Sequence, residues 1–172
     1  MSPSPDLPFE PDDGSIDYVS PDNEYMQAAK DVAREESIDS HPAGAVIVKH
    51  DSILGSGANG SDYHDNNECV RERLKEQGEI ASGEGYERCE GCHPKNHAEP
   101  TAIQDAHDQG NDDLDDADLY LWGHWWACEW CWDEMLDEGI DQLYLHEDSK
   151  ELFNKDSDDY VFADGPEIKA SI

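Results

Sequence analysis

The sequence predicts a single α/β domain of three layers, with helices on both faces of a central mixed sheet. Three observations carry this: an element order of helix, hairpin, helix, strand, helix, strand; apolar runs of strand length; and intervening segments with apolar residues at helical spacing. A chain of 172 residues is long enough for one domain with a real core.

The first helix is expected over residues 25–37, YMQAAKDVAREES, where Met26, Ala29 and Ala33 recur at three- and four-residue steps. AGAVIVKHDSILGSG reads as a hairpin. Val46 to Val48 form one strand, His50 and Asp51 the turn, and Ile53-Leu54 the return strand. Gly55, Gly57 and Gly60 are expected to end it in a loop that also carries Asn59. Residues 60–96, rich in Gly, Asn, Glu and Asp, read as an insertion between core elements, with a brief helical pattern at 66–77.

A helix over 97–109 follows, with Ala98, Ala102 and Ala106 on one face and Gly110 as its stop. Pro100 is tolerated there because it falls in the first turn. The acidic linker NDDLDDAD leads into the strand LYLW at 119–122. A helix from Cys128 to Glu138 stops at Gly139, IDQLYLH at 140–146 forms the last strand, and SKELF starts one further helical turn. Residues 1–24, with five prolines and seven acidic side chains, read as a flexible or loosely docked tail. The domain is expected to run over 25–155, with 156–172 as a C-terminal tail.

Charge narrows the function classes. Forty-three acidic residues against eleven basic ones give a formal net charge of −32. Such a surface repels nucleic-acid phosphates, which disfavours a polynucleotide partner. It also repels itself unless salt screens it, so a salt-rich interior is expected. No apolar run reaches the roughly 18 residues of a membrane span. The N-terminus lacks the basic start and apolar stretch of a signal peptide, so a cytoplasmic location is the expectation. In a reducing compartment, Cys69, Cys89, Cys92, Cys128 and Cys131, with two Cys-x-x-Cys pairs, point to metal before disulfides.

One metal constellation stands out. Cys128 and Cys131 open one helix at a spacing that lets both thiolates converge on one ion, favoured by the helix N-terminus. His97 and Glu99 open the other helix. With the 119–122 strand between them, both N-termini point to one sheet edge, where α/β proteins place chemistry. One histidine and two cysteines leave a fourth tetrahedral position for water, the ligand count of a catalytic zinc. Glu99 is then the proton carrier.

His97-Ala98-Glu99 followed, after 28 residues, by Cys128-Glu129-Trp130-Cys131 resembles the cytidine and deoxycytidylate deaminase family. The hairpin, the TAIQDA helix start and the LYLW strand share the resemblance, which covers roughly residues 25–150. It implies a cytidine deaminase-like fold, a zinc-bound hydroxide that attacks C4 of cytosine, Glu99 shuttling protons, and departure of ammonia. Histidine as the first ligand brings the sequence nearer to the deoxycytidylate branch, with dCMP to dUMP as the expected reaction. Modified dCMP or free cytidine are the alternatives within the same chemistry. The resemblance further implies that Asn59 contacts the sugar, that backbone around Ala98 and Cys128 lines the base pocket, and that the protein is a homo-oligomer. Two departures are visible. Ala127 stands where the family carries proline, and the approach LYLWGHWWAC is about two residues longer than usual.

Other readings attach to the remaining motifs. Cys89, Cys92, Cys128 and Cys131 together make a possible closed structural zinc site in a non-catalytic binding protein. Cys69, Cys89 and Cys92 with His64 or His93 form a possible second, structural zinc within the insertion, where a metal replaces a missing core. Cys89-x-x-Cys92-His93 also matches the haem-attachment pattern. Trp122, Trp125, Trp126, Trp130 and Trp132 crowd the second motif, as core, as an aromatic wall for a flat base, or as a subunit interface. Trp125 and Trp126 are the candidate ligand contacts, and His124 is either a substrate contact or a solvated loop residue. Arg71, Arg73, Arg88 and Lys95 are ordinary ion-pairing groups or a patch for a nucleotide phosphate.

Overall fold

The hairpin sets the register of the sheet. In the computed structural model, which describes residues 11, 13–37, 42–59, 73, 76–78, 97–127, 129–154 and 157–162, β2 (Gly44–Lys49) turns into β3 (Ser52–Ala58). The turn residues His50 and Asp51 have φ of 52° and 61°. Two successive left-handed residues give the turn a twist that matches the flanking strands. Lys49 then faces Ser52 and Val48 faces Ile53, with a register shift between Ile47 and Val48.

β4 (Asp118–Trp122) adds to β2 antiparallel, and β5 (Gln142–His146) adds to β4 in parallel. A further strand, β1 (Ser15–Val19), lies parallel to β5 and completes the order β1-β5-β4-β2-β3. This strand falls in the stretch that composition marks as a tail. Its five residues, SIDYV, are too few to signal a strand on their own, and they pair along the edge of β5.

Strand alternation divides the core in two. Ala45, Ile47, Leu119, Leu121, Leu143 and Leu145 face α2 (Ala98–Asp108) and α3 (Glu129–Asp137), which contribute Ala102, Ala106, Trp132 and Met135. Val46, Val48, Tyr120 and Trp122 face the other way. They meet α1 (Glu24–Glu36), α4 (Ser149–Phe153) and the segment carrying Phe162. The three-layered α/β/α arrangement around a mixed sheet follows from this period of two. Phe162, in the stretch read as a C-terminal tail, is 5% exposed and packs against Trp122 and Phe153.

Each large helix sits on glycine. Asn23 caps α1 by accepting from the backbone N–H groups of Tyr25 and Met26 at 2.9 and 3.1 Å. A Cβ on Gly44 would lie 2.6 Å from the backbone nitrogen of Ala33 in that helix. On the opposite face, a Cβ on Gly55 would lie 2.6 Å from Ala102 O and Ala106 N of α2. Gly55 and Gly57 are therefore interior residues of β3, not the start of a loop as the sequence suggests. They are glycine because α2 approaches the strand too closely for any side chain. Among the described residues, no helix is long and apolar enough to cross a membrane.

Candidate metal centre

Two helix starts meet at one edge of the sheet. His97 is the N-cap of α2, in extended conformation, and its side chain makes no capping hydrogen bond. Its carbonyl instead receives Thr101 Oγ1 at 2.7 Å and Thr101 N at 3.4 Å, which fixes the first turn. The ring turns toward α3, placing Nδ1 3.4 Å from Sγ of Cys131. Cys131 is fully buried and Glu99 is 1% exposed. One donor atom from each of His97, Glu99 and Cys131 lies within 4.8 Å of the others.

This donor set fits a zinc ion. With Zn–N of about 2.05 Å, Zn–S of about 2.3 Å and a tetrahedral angle, two ligands of one ion stand about 3.6 Å apart. The observed 3.4 Å is within about 0.2 Å of that separation. Imidazole nitrogen and cysteine sulfur are also zinc's common donors. Cys128 lies outside the described residues, so the centre is described through the other three side chains.

The path from β4 into α3 is set by a tight crossing. Gly123 has φ of 102°, and a Cβ there would lie 2.7 Å from Cα of Ala43. Ala43 is itself held by Asn59, whose Oδ1 accepts from Ala43 N at 2.8 Å and from Ser37 Oγ at 2.6 Å. Asn59 N donates to Ala43 O at 3.1 Å. The structure thus gives Asn59, expected as a sugar contact, scaffold bonds at this crossing.

The tryptophan cluster does not form one wall. Trp122 and Trp132 are fully buried in opposite core clusters. Trp125 is half-buried, packs on the α1 side of the sheet, and carries Lys150 Nζ 5.9 Å above its ring. Trp126 is half-buried as well, and Ala98 is fully buried. His124 stands beside the centre, its ring centroid 6.3 Å from that of His97.

Arg73 is exposed. Arg71, Arg88 and Lys95, with the second-metal candidates Cys69, Cys89, Cys92, His64 and His93, lie outside the described residues. Sequence reading missed Gly14, which lies against Trp132, and the buried polar residues Lys30 of α1, His146 at the end of β5 and Ser149 of α4. No spacing rule marks these, since each is polar or small for reasons of tertiary packing.

A mixed α/β sheet with histidine and carboxylate at one helix start, and cysteine at the next, defines a metal-binding deaminase-type centre. The chain belongs to the family of the cytidine and deoxycytidylate deaminase zinc-binding region, whose model matches residues 19–147. No curated protein matches the sequence. Among solved structures, similarity extends to a diaminohydroxyphosphoribosylaminopyrimidine deaminase/5-amino-6-(5-phosphoribosylamino)uracil reductase from Thermotoga maritima. It is 21% identical, with a TM-score of 0.41, over 70% of this chain and 28% of that one. The dCMP deaminase of cyanophage S-TIM5 is 20% identical, with a TM-score of 0.43, over 73% of this chain and 82% of that one. The guanine deaminase of Bacillus subtilis is 23% identical, with a TM-score of 0.43, over 70% and 60%. The chain therefore spans about a quarter of the first of these proteins and under two thirds of the last.

Proposed function

We propose that the protein is a zinc-dependent hydrolytic deaminase of a cytosine nucleotide, converting dCMP to dUMP with release of ammonia. The observation that carries this reading is the buried carboxylate of Glu99 within 4.8 Å of a histidine nitrogen and a cysteine sulfur, at the start of a helix in the family-matched span. His97 and Cys131 would hold the metal, with Cys128 as the third ligand. Zinc, when bound, supplies a Lewis acid that makes water nucleophilic near neutral pH.

The chain's own residues do the rest. Glu99 takes a proton from the water that attacks C4 and delivers it to N3 of the ring. It then passes the second proton to the exocyclic amine, which leaves as ammonia while C4 becomes a carbonyl. Water and cytosine are thereby converted to uracil and ammonia, with atoms balanced. Burial of Glu99 keeps bulk water from competing for that proton.

A nucleotide is favoured over an uncharged nucleoside by the basic residues Arg71, Arg73, Arg88 and Lys95, set in a chain of net charge −32. Modified dCMP and cytidine are the alternatives, tested on the same panel. The nearness of His97 to Cys131 favours the three-ligand set over a closed four-cysteine site.

The test is ammonia release from cytosine bases, nucleosides and mono- to triphosphates at high salt. Glu99→Gln is expected to retain zinc and folding while losing deamination by about 10²–10⁴-fold. His97→Ala should lose the zinc and Cys89→Ser should keep it. A fully active Glu99→Gln variant, or loss of the zinc with Cys89, would refute the assignment.

A further inference from the structure

We propose that Asp13, Gly14 and β1 form a strap that positions α3, and with it Cys131, and that Gly14 is its positioning residue. Residues 11–18 precede the span matched by the family model. The strap is fastened along the sheet by parallel pairing from Ser15↔Gln142 to Val19↔His146. Ser15 N donates to Asp141 O at 2.8 Å, and Glu147 N donates to Val19 O at 2.9 Å.

Just ahead of the strand, the chain lies on the indole of Trp132. A Cβ on Gly14 would be 2.6 Å from Cζ3 and 3.0 Å from Cη2 of that ring, with Cγ of Pro11 at 2.8 Å. Gly14 is needed for close approach alone, since its φ is not in the left-handed region. Trp132 follows Cys131 directly, and both are fully buried. Its Nε1 has no hydrogen-bond partner among the described residues, so the ring is held by shape and not by a directional bond. The slot between sheet and strap then fixes the rotation of α3 about its own axis.

The scale of the effect follows from the contact. Moving the indole from 2.6 Å to an ordinary contact of 3.4 Å displaces it by about 0.8 Å. Metal–ligand distances tolerate only about 0.2 Å. If more than about a quarter of that shift reaches Cys131 Sγ, the tolerance is exceeded. The step from α3 to the metal rests on the reading of His97 and Cys131 as ligands; the step from Gly14 to Cys131 does not.

The experiment uses the full chain at high salt, with zinc titrated against a chelator. Alkylation of Cys131 in zinc-free protein is followed by mass spectrometry. Gly14→Val is expected to weaken zinc binding about 10–100-fold and to speed Cys131 alkylation by about tenfold. Gly14→Ala serves, with the same readouts, if the valine variant does not fold. Gly44→Ala, which crowds α1 on the other face, should lower stability without either effect. Adding Trp132→Phe to the Gly14 variant should recover at least about tenfold in zinc affinity. Equal zinc affinity and equal Cys131 protection in the Gly14 and Gly44 variants would overturn the strap. If wild type holds no zinc but the Gly14 variant still unmasks Cys131, the strap stands and the ligand assignment falls.

Discussion

Gly57→Ala tests whether the metal centre depends on how closely α2 lies on the sheet. Gly57 sits in β3 beneath the first turn of that helix. An added Cβ would lie 2.7 Å from the carbonyl carbon and the Cβ of Thr101. It would come closer still to the backbone nitrogen of Ala102. These are mostly backbone atoms, and no rotamer change moves them aside. Reaching ordinary contact at 3.4 Å therefore requires α2 and β3 to separate by about 0.7 Å or more. Overpacking of this kind costs about 1–3 kcal/mol. About 0.4–1 kcal/mol is recovered because alanine restricts the unfolded chain. The net loss of about 1–2 kcal/mol corresponds to a melting temperature lower by about 2–8 °C for a chain of this size.

The activity loss should be larger than the stability loss suggests. Glu99 and His97 stand only two and four residues before Thr101, on the displaced end of the helix. A misplacement near 1 Å can cost about 10²-fold in rate. Gly55→Ala is the control, because its Cβ would press on Ala102 and Ala106, one turn further from the centre. Thermal melts and ammonia release at high salt would be compared for both variants. The expected result is similar melting temperatures, with activity reduced about 10²-fold for Gly57 and under about tenfold for Gly55. A Gly57→Ala variant that melts and turns over like wild type would refute the idea of a rigid glycine bed. Equal activity losses in the two variants would show that stability alone, and not displacement of the helix start, is responsible.

Two further outcomes follow from buried polar groups. Asn59→Ala removes the acceptor for Ala43 N and Ser37 Oγ, and should lower stability by about 1–3 kcal/mol in a chemical melt, with Asn59→Asp losing less. His146, 2% exposed, accepts a hydrogen bond from Asp148 N at Nδ1. Burial pushes its imidazole below the ordinary 6.5; Asp148 and Glu147 oppose this, and Lys30 adds to it. The unfolded chain then binds the proton more readily. Stability from this group is full above pH 6.5 and falls as pH drops toward the folded value, by at most about 1.4 kcal/mol per pH unit. Melting curves between pH 8 and 5 should show that slope reduced in His146→Gln; an unchanged slope would rule His146 out as its source.

Elements with strong period were legible in the sequence, because burial of one face is what creates the period. The hairpin turn at His50-Asp51, the alanine face of α2 and the strand LYLW all lie within a residue or two of where pattern placed them. β1 was not legible, since its five residues are too few to signal a strand on their own and pair along the edge of β5. Gly55 and Gly57 misled for a related reason. Glycine in sequence signals a turn, whereas here it signals backbone held against it by another element. The meeting of His97, Glu99 and Cys131 was legible because His-x-Glu and the second cysteine of Cys-x-x-Cys are local spacings near helix starts. The tryptophans were not, because their allotment to opposite faces depends on which strand or helix each belongs to.

The centre itself breaks a local rule. Serine, threonine, aspartate or asparagine at the N-cap would stabilise α2 by about 1 kcal/mol. His97 holds that position without a capping bond, and its ring faces Cys131. Thr101 binding the His97 carbonyl offsets part of the loss. Electrostatics point the same way. The acidic groups of Glu99 and Cys131, within 4.8 Å of each other at 1% and 0% exposure, can both be ionised only if a positive charge lies between them, because burial leaves little water to screen their repulsion. The positive end of α2 relieves this only by a fraction of a charge. A divalent cation held between the donors reverses the sign of the interaction. A metal ion on these donors would offset the cost of the uncapped histidine and the buried acidic pair, and would thereby couple occupancy of the centre to stability of the domain.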